Sequence, residues 1–571
     1  MIFSSTNKFM TKKWALREKI SDDLEKQLLF YRGIKTEEEA EKFFNPDYER
    51  DLRDPFDFSV MEKITNRIAE AIGKNEKIVV FGDYDADGIC ACVVFHDFFK
   101  KIDFENFEVY IPDRSEGQGL NLKIIDEFIK QKVGLIITVD CGITDHDEIK
   151  KAKNGGMDVI ITDHHLPSRG LPPDAFAVLD PFIEDKEYPF IQFCGTGLAF
   201  KIVCALSKNK AFKIFPGWEK WLLDIVAIAT IADMSPLVDE NRVFVFYGLE
   251  VLKKTRRKGL LALLEKLNID RFNITEEDVA FYVAPCINVA SRMEHAAISY
   301  SLLITYFDEE AEALSRKLIE RNNERKKKTE EIFEEINRKM EGAENFPEIL
   351  VLGDEKWPIG IVAPLANKVL EKYGRPAIVW GKGIMSKQIK GSCRSNGRIN
   401  LVELLTEIGD KIFDDFGGHA MSTAFTLKEG KISELGKEVE AAFEKISHYE
   451  VESPCIWLEI GLGLDNIDWN FISFLGKFRP FGMGNPKPVF LFSNLEVSGV
   501  RTFGNGGIHL QLNFKKSNGE IISAIGFFMQ KKLEFSVEHG TKIDLAASVE
   551  ENRFNGRREI RLRIVDMRKA E

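Results

Sequence analysis

The sequence lacks the features that mark several classes of protein. No run of about 18 or more apolar residues occurs, so we expect no membrane-spanning helix. Residues 1–13 contain neither a long apolar core nor a cleavage-like site, so we expect no signal peptide. The eight cysteines are scattered and none forms a CxxC pair, so neither a zinc ribbon nor a disulfide framework is supported. This cysteine usage is typical of the reducing cytoplasm.

The charge balance limits the ways in which the chain can meet nucleic acid. A net charge of −12 argues against a protein that coats nucleic acid by bulk attraction, but it leaves room for a local basic groove. With 44% hydrophobic and 30% charged residues, the composition is that of a soluble globular protein. The length of 571 residues predicts about three to four domains, and residues 14–73 are predicted to be helical.

Three apolar segments each end in acidic or imidazole side chains. Residues 78–81 precede Asp83, Asp85 and Asp87, residues 135–139 precede Asp140, and residues 159–161 precede Asp163, His164 and His165. Short β-branched runs predict buried strands, and the short helices between them fit right-handed crossovers in a parallel sheet. Because ligands of open α/β sheets bind at the carboxyl ends of the strands, we expect these side chains to meet at one site.

Each of these motifs also has a plainer interpretation. Asp83, Asp85 and Asp87 repel one another unless a cation lies among them, but they also fit a calcium-type loop or an acidic turn. The EF-hand pattern requires a glycine and a glutamate that are absent here. The Asp-His-His triplet alone is equally compatible with a capped strand end that carries a hydrogen-bonded histidine.

The middle of the chain adds three weaker candidates. Asp233 ends a helix that is apolar almost all round, at a position where Asp is ordinarily a cap or turn residue. Asn288 and Arg292 share a face if their segment is helical. Residues 308–342 predict one long helix, apolar at both ends and polar in the middle, which suggests a bridge between two domains. We interpret its basic run, RNNERKKKT, as a solvated face.

A second α/β unit is predicted from strands at 348–352 and 377–380. It carries basic, hydroxyl and imidazole side chains at Lys387, Lys390, Ser392, Arg394 and His419. Small residues beside a fixed guanidinium favour a phosphate site, although two flexible loops explain the pattern equally well.

From about residue 453, short alternating strands predict a small β-barrel or sandwich. In its last strand, Arg561 and Arg563 are predicted to face outward, opposite an apolar inner face. A basic outer face fits an OB-fold that tracks a phosphate backbone, with Phe554 available to stack on a base. An ordinary charged strand face is the alternative.

The ordered motifs resemble those of the DHH phosphoesterase superfamily and, within it, the RecJ family of bacterial 5′-to-3′ exonucleases specific for single-stranded DNA. The similar segments extend from Trp14 to about residue 530 and include RGIKTEEEAEKFFNP, VVFGDYDADG, VDCGIT, DVIITDHH, ATIADMSPLVDENR, INVASR, WPIGIVA, GSCRSNGR, FGGHA and RPFGMGNPKP. The resemblance implies an α/β fold in five parts. These are an N-terminal helical segment packing on the DHH domain (1–75), a parallel-sheet DHH catalytic domain (76–307), a linking helix (308–342), a smaller α/β DHHA1 substrate-binding domain (343–450) and a β-barrel OB-fold domain (451–571).

The resemblance also implies two divalent cations, Mn²⁺ or Mg²⁺. Asp140 would bridge them, Asp85 would bind one, and Asp87, His164 and Asp233 would bind the other, with Asp83 as a further candidate. His165 would contact the scissile phosphate, which makes His165, Asp140 and His164 the catalytic candidates. Asp163 is expected to orient its neighbours rather than bind metal. Arg114, Asn288, Arg292, Ser392, Arg394 and His419 would bind DNA phosphates.

By the same resemblance, the enzyme would hydrolyse single-stranded DNA to 5′-mononucleotides in DNA repair and recombination. It would act as a cytoplasmic monomer without a membrane, beside a helicase and a single-strand-binding protein.

Four positions depart from the pattern of the relatives. Phe81 stands where pyrophosphatases of the superfamily place a metal-binding His, which leaves one cation short of a ligand. Cys286 stands where Arg is usual, Ser291 where Gly is usual, and Gln118 where Tyr is common. These departures concern substrate contacts more than the set of acidic ligands.

Two other functions compete with the exonuclease. A DHH phosphodiesterase acting on short RNA or dinucleotides would lack a barrel extension, so residues 453–571 argue against it. A non-catalytic binding protein would not need the acidic and imidazole residues, which are intact here. Faster turnover of a dinucleotide than of longer single-stranded DNA would favour the first alternative. Binding without turnover in Mn²⁺ would support the second.

Overall fold

The computed structural model describes residues 13–114, 116–167, 170–183, 188–341, 346–383, 388–446, 455–529, 535–554 and 557–570. Within these ranges the chain forms two compact units. The first is built mainly from Leu52–Ser235 and Asp239–Val451, and the second from Thr11–Asp51, Pro236–Val238 and Glu452–Glu571. Lys387, a predicted basic residue of the second α/β region, lies outside the described residues.

The strands, in chain order, are β1 (Lys13–Leu16), β2 (Lys77–Gly82), β3 (Phe107–Tyr110), β4 (Val133–Val139), β5 (Asp158–Thr162), β6 (Ala177–Leu179), β7 (Leu350–Pro358), β8 (Ala377–Lys382), β9 (Ile389–Arg394), β10 (Phe413–His419), β11 (Ser422–Leu427), β12 (Cys455–Leu458), β13 (Phe490–Phe503), β14 (His509–Lys515), β15 (Ile521–Gly526), β16 (Lys542–Phe554) and β17 (Arg557–Lys569).

The α-helices are α1 (Leu24–Phe30), α2 (Glu37–Phe44), α3 (Tyr48–Asp51), α4 (Met61–Gly73), α5 (Ala86–Lys101), α6 (Leu122–Lys130), α7 (His146–Asn154), α8 (Gly195–Ser207), α9 (Leu223–Ala232), α10 (Asp239–Leu252), α11 (Lys258–Lys266), α12 (Glu276–Asp278), α13 (Ala284–Met293), α14 (Ala297–Ile304), α15 (Asp308–Met340), α16 (Ile359–Tyr373), α17 (Leu401–Ile408), α18 (Ile432–Phe443) and α19 (Trp469–Gly476). A π-helical turn, Val279–Val283, precedes α13.

The first sheet is parallel throughout and has the order β3-β2-β4-β5-β6. Its central strands are buried on both faces, as expected for apolar runs covered by helices on each side. In register, Gly82 lies opposite Val139, and Val139 lies opposite Thr162. The predicted strand-end motifs therefore emerge side by side at one edge of the sheet.

Buried helices complete this region. Helix α9 is buried from Leu223 to Thr230, which confirms the prediction made from its all-round apolar pattern. Its single buried carboxylate, Asp224, accepts hydrogen bonds from Thr255 and Arg257, and Arg257 also pairs with Asp97. This paired charge holds α9, and with it the loop that carries Asp233, against α5.

Helix α15 runs for 33 residues and contacts both α/β regions of the first unit. Ala311 and Leu318 are buried toward its start, and Ile336 is buried in the core of the second region. The second sheet has the order β10-β11-β9-β8-β7, in which β7 and β8 are parallel and the other neighbours are antiparallel. The prediction of a bridging helix and a smaller α/β domain is confirmed.

The second unit contains a closed barrel in which the strands follow the order β13-β14-β15-β17-β16. Leu562 and Ile564 face its core, while Arg561 and Arg563 are only partly buried. This agrees with the alternation predicted for the last strand. The backbone of Phe554 ends β16, but its side chain lies outside the described residues, so base stacking there stays a prediction.

The structure places residues 13–51 differently from the expectation that residues 1–75 pack on the DHH domain. Leu28, Leu29 and Phe43 belong to the core cluster of the barrel. Residues 14–16, predicted to be helical, belong instead to β1, which pairs in parallel with β12. The partner segment is more than 400 residues away in sequence, so local periodicity did not reveal this pairing.

No helix in the described ranges combines the length and apolar character needed to cross a membrane.

Candidate active site

The loop between β2 and α5 presents two carboxylates in different ways. Asp85 is the N-cap of α5, and its Oδ1 accepts hydrogen bonds from the amides of Asp87 (2.8 Å) and Gly88 (3.2 Å). Asp87, the second residue of α5, accepts hydrogen bonds from the amides of Gly195 (2.7 Å) and Thr196 (2.8 Å) at the start of α8. Helix α8 therefore fixes the rotamer of Asp87 through its own free amide groups.

Asp140 follows β4 in the left-handed region, with φ of +62°. Its amide donates to the carbonyl of Thr162 at 2.9 Å, which holds this unusual conformation in place. The carboxylate lies 3.0 Å from Nε2 of His164, which itself lies 3.8 Å from Asp87. Asp140 thus stands at the centre of the group, in contact with the residues that follow β5.

The Asp-His-His triplet divides into different geometries. Oδ1 of the buried Asp163 accepts hydrogen bonds from the amides of His164 and His165 and from Nδ1 of His165 (2.8 Å), and Oδ2 accepts one from the Ile143 amide. With four donors on two oxygens, Asp163 orients the triplet. Burial alone would raise the pKa of Asp163, but the hydrogen bond from His165 keeps that pKa below its usual range.

The two imidazoles also differ electrostatically. Burial, reinforced by the neighbouring His165, lowers the pKa of His164, which leaves it neutral and able to bind a metal through Nε2. Burial alone would lower the pKa of His165 too, but its hydrogen bond to Asp163 and the charge of that carboxylate raise it to about 9. His165 is therefore a cation fixed at Nδ1 whose other ring nitrogen is turned away from Asp163.

The carboxyl groups of the site repel one another. Burial and Asp87 raise the pKa of Asp140 well above its usual value, and burial and Asp85 raise that of Asp83 to about 7. Asp233 is exposed as a residue, but local enclosure of its carboxyl group and the nearby Asp87 raise its pKa to about 8. Oδ1 of Asp83 is buried without a hydrogen-bond partner among the described residues. A divalent cation would satisfy this oxygen and offset the repulsion.

Three groups of side chains have the spacing of metal ligands: each residue of a group offers one ligand atom, and these atoms lie within 4.8 Å of one another. The first consists of Asp83, Asp85 and Asp140, and the second of Asp87, His164 and Asp233. Asp140 and His164 also form a group with His165. Oxygen ligands with one imidazole suit Mn²⁺ or Mg²⁺, so the residues present fit two cation positions, and the 3.0 Å contact between Asp140 and His164 links the two groups.

Gly195 allows α8 to approach Asp140 closely. A Cβ atom at this position would lie 2.6 Å from Cβ of Asp140, whereas a Cβ at Gly197 would lie 3.3 Å from its nearest neighbour, a ring carbon of Phe193. This contact between the start of α8 and the acidic cluster was not predicted from the sequence.

We expect Gly195→Ala to displace Asp140 or α8 and to lower cation affinity and the hydrolysis rate by about tenfold or more, because ligand geometry is lost. The measurements are Mn²⁺ titration and initial rates. Gly197→Ala, two residues along the same helix, is the matched control and should cost much less. Equal effects of the two variants would contradict the role of the Gly195 contact.

Cationic side chains lie beside the acidic cluster in the first region. Arg114 lies over the ring of Tyr84, with 4.7 Å between its guanidinium carbon and the ring centroid. The Nε of Arg114 and Nη1 of Arg292 are buried without hydrogen-bond partners in the described part of the chain. Asn288, predicted as a phosphate ligand, uses its Oδ1 to accept a 2.8 Å hydrogen bond from the Ala86 amide, so it also positions the acidic loop.

The second sheet contributes a row of candidates. Arg394 lies opposite Ser422, which lies opposite His419, so Arg394 and His419 are on the same row two strands apart. Nη1 of Arg394 donates to Oγ of Ser392 at 2.8 Å, and burial lowers the pKa of Arg394. His419 is exposed.

Lys390 connects the two α/β regions. Its Nζ donates to the carbonyl oxygen of Arg114 at 3.2 Å, and burial, reinforced by Arg114, lowers its pKa. Lys390 was noted in the sequence but was not assigned to the site, and Tyr84 was missed altogether. The position of Tyr84 between Asp83 and Asp85 was the available signal.

The four departures occupy defined places. Phe81 is fully buried and stacks on Tyr110, with ring centroids 5.4 Å apart, so it offers no ligand atom. Gln118 donates to Oδ2 of Asp83 at 3.1 Å, which fixes that carboxylate. Cys286 is buried beside Asn322 (3.6 Å), and Ser291 donates to the carbonyl of Asn288.

The basic face of the barrel is partly neutralised. Arg561 pairs with Glu550 at 2.6 Å, whereas Arg563 lies over the ring of Phe527 at 4.5 Å. Of the two arginines predicted to face outward, Arg563 is thus the one that stacks on an aromatic ring.

Comparisons with known proteins match three parts of the chain to family models. Residues 77–230 match the N-terminal domain of the DHH family, residues 347–445 match the DHHA1 domain, and residues 458–566 match the RecJ OB domain.

Similar whole proteins are also known. The single-stranded-DNA-specific exonuclease RecJ of Bacillus subtilis is 34% identical over 540 residues, which cover 94% of this chain and 67% of that protein. The crystal structure of RecJ from Thermus thermophilus in complex with Mn²⁺ is 26% identical, with a TM-score of 0.79, and the match covers 96% of this chain and 76% of that one. A structure of exonuclease RecJ bound to manganese is 28% identical, with a TM-score of 0.59, and covers 72% of this chain and 98% of that one.

Proposed function

Since the chain belongs to the RecJ family of single-stranded-DNA-specific exonucleases, we propose that its strand-end cluster hydrolyses the phosphodiester bonds of single-stranded DNA. The observation that supports this most strongly is the pair of adjacent ligand groups, linked by the 3.0 Å contact of Asp140 with His164. Beside them, guanidinium atoms of Arg114 and Arg292 have no hydrogen-bond partner in the described part of the chain. Acidic groups for cations next to basic groups for phosphates are what phosphodiester hydrolysis requires.

Divalent cations, Mn²⁺ or Mg²⁺, are the cofactors. In the proposed arrangement Asp83, Asp85 and Asp140 would hold one cation, and Asp87, His164 and Asp233 would hold the other. Asp140, 3.0 Å from His164, would also be available to the second cation. When bound, the cations supply Lewis-acid activation of water and stabilise charge on the phosphate oxygens. The hydrogen bonds from Gln118 to Asp83 and from α8 to Asp87 orient the carboxylates before a cation arrives.

His165 is proposed to contact the scissile phosphate. Its Nδ1 is held by Asp163, so a proton at Nε2 is directed toward an anion and not toward the protein. A fixed imidazolium stabilises the negative charge that grows on the phosphate oxygens as the bond breaks.

The attacking group is proposed to be water. Cys90, Cys141 and Cys194 lie near the cluster, but burial raises the pKa of each thiol well above its usual value. Their sulfurs are therefore protonated and enclosed, which makes them poor nucleophiles.

The remaining candidates are proposed to hold the strand. Arg114, Asn288 and Arg292 from the first region, and Ser392, Arg394 and His419 from the second, would bind its phosphates. Buried guanidinium atoms of Arg114 and Arg292 support this, because they have no hydrogen-bond partner among the residues that the structure describes, and such donors are costly unless a ligand satisfies them.

Further elements of the proposal rest on the family resemblance. They are 5′-to-3′ polarity, release of 5′-mononucleotides, a role in repair and recombination, action as a monomer, and a helicase and a single-strand-binding protein as partners. The division into a DHH domain (76–307), a linking helix (308–342), a DHHA1 domain (343–450) and an OB-fold domain (451–571) belongs with them. A cytoplasmic location is supported by eight free cysteines.

The competing functions make different demands. A dinucleotide phosphodiesterase has no use for the barrel of β13–β17, and a non-catalytic binding protein has no use for the two ligand groups. Both features favour the exonuclease.

The test is digestion of 5′-phosphorylated single-stranded DNA, labelled at either end, with Mn²⁺ and with EDTA. We expect early release of the 5′-terminal label as a mononucleotide, no release in EDTA, and much slower digestion of blunt duplex. Faster turnover of a dinucleotide than of a 12-mer would favour the phosphodiesterase. Binding without cleavage in Mn²⁺ would favour the non-catalytic protein.

A further inference from the structure

Helix α15 carries one half-buried cation that has no acidic partner in the described chain. Arg321 and Lys328 both pair with Glu324, and Lys317 pairs with Glu294. Arg325, between them, instead donates from Nε and Nη2 to Oδ1 of Asn322, at 3.3 and 3.0 Å. Because its neighbours take the available carboxylates, the charge of Arg325 stays uncompensated.

Helix α13 lies between Arg325 and the acidic loop. On one side, Asn288 accepts a hydrogen bond from the amide of Ala86, the residue between the candidate ligands Asp85 and Asp87. On another side, Cys286 contacts Nδ2 of Asn322, the residue that holds Arg325. A helix with its side chains is about 10–12 Å across, so Arg325 does not share the position of the scissile phosphate.

Arg292 lies on the same helix α13, which packs against α15, and it carries a second guanidinium with an unsatisfied donor. Its Nη1 is buried without a hydrogen-bond partner among the described residues. Burial and the guanidinium groups of Arg114 and Arg325 lower the pKa of Arg292 to about 9, while Asp85 acts in the opposite direction. Two cations that repel each other in a partly enclosed place favour an anion between them.

We propose that Arg325 and Arg292 together bind an internal phosphate of the DNA strand, one that is not being cleaved. The inference rests on the proposed exonuclease function and adds a binding position on the linking helix. Asn322 serves as the positioning residue, because it fixes two donors of Arg325 and leaves Nη1 for the phosphate. The basic run of α15 is then not uniform: Arg325 faces the strand, while Lys327 is solvated.

The experiment compares a 5′-phosphorylated dinucleotide with a 5′-phosphorylated 12-mer, using wild type, Arg325→Gln and Lys327→Gln. Only the 12-mer carries further internal phosphates. We expect Arg325→Gln to lower the ratio of kcat/KM for the 12-mer to that for the dinucleotide by about tenfold. In Ca²⁺, the log–log salt slope of 12-mer binding should fall in magnitude by about 0.7. Lys327→Gln removes the same charge from an exposed site and should leave both quantities unchanged.

Arg325→Lys is the second variant, which keeps the charge but loses the pair of hydrogen bonds to Asn322. We expect its ratio of kcat/KM values to lie between those of wild type and Arg325→Gln. An unchanged ratio in both Arg325 variants would overturn the proposal, and so would equal losses on the two substrates. A wild type that does not digest DNA would instead overturn the proposed function. The two failures are therefore distinguishable.

Discussion

Replacing Asp140 by Asn is expected to lower the rate of DNA hydrolysis by about 10⁴-fold or more, because this carboxylate belongs to the first ligand group and lies 3.0 Å from His164 of the second. Asn suits the test because Asp140 has φ of +62°, a conformation that Asn adopts more readily than Ala. The rate is measured on single-stranded DNA in saturating Mn²⁺.

The stability of the variant separates loss of cations from loss of fold. In the metal-free protein, Asn at position 140 removes one of several repelling carboxyl groups, so Tm should not fall. The rise in Tm that Mn²⁺ gives the wild type should shrink, because fewer ligands hold the cations. Asp147→Ala, an exposed acidic residue in α7, is the matched control and should behave as wild type. Full activity of the Asp140 variant would remove this residue from the site.

Replacing His165 by Gln is expected to lower kcat by about 10²- to 10³-fold while leaving the cation affinity within a few fold of wild type. The physical reason is that Asp163 holds His165 as a cation beside the ligand groups, so its charge serves the reacting phosphate. The measurements are single-turnover rates on DNA and Mn²⁺ titration by calorimetry.

His146→Gln is the control for the His165 variant, since His146 follows the neighbouring strand and contacts only the Gly170 carbonyl among the contacts described for it. If His165→Gln loses Mn²⁺ affinity as strongly as activity, His165 is a metal ligand and not a phosphate contact. The ligand atoms of Asp140, His164 and His165 lie within 4.8 Å of one another, a spacing that also permits metal binding by His165. Both measurements are therefore needed.

The first α/β region could be predicted from the sequence because its signals are local. Apolar runs such as residues 135–139 predict buried strands, and a parallel sheet brings their ends to one edge without any knowledge of packing. Asp140, Asp163 and His164 therefore meet as expected. The long helix α15 followed in the same way from its periodicity.

What escaped prediction depends on contacts between distant segments. The contact of α8 with Asp87 joins residues more than 100 positions apart, and so does the bond between Lys390 and Arg114. No periodic pattern records such pairs. The four-residue strand β1 was missed for the same reason, because its partner β12 lies near the other end of the chain. The uncompensated charge of Arg325 also emerges only when its neighbours are seen to be paired.

Helix α15 has a further consequence for how a strand reaches the cluster. Its 33 residues extend for about 50 Å, and it contributes Leu318 to the packing of the first α/β region and Ile336 to the core of the second. Opening the two regions like a hinge would bend or unpack a helix that is part of both. We therefore expect the spacing of the two regions to stay nearly constant while a DNA strand is bound, with α15 acting as a fixed spacer between them.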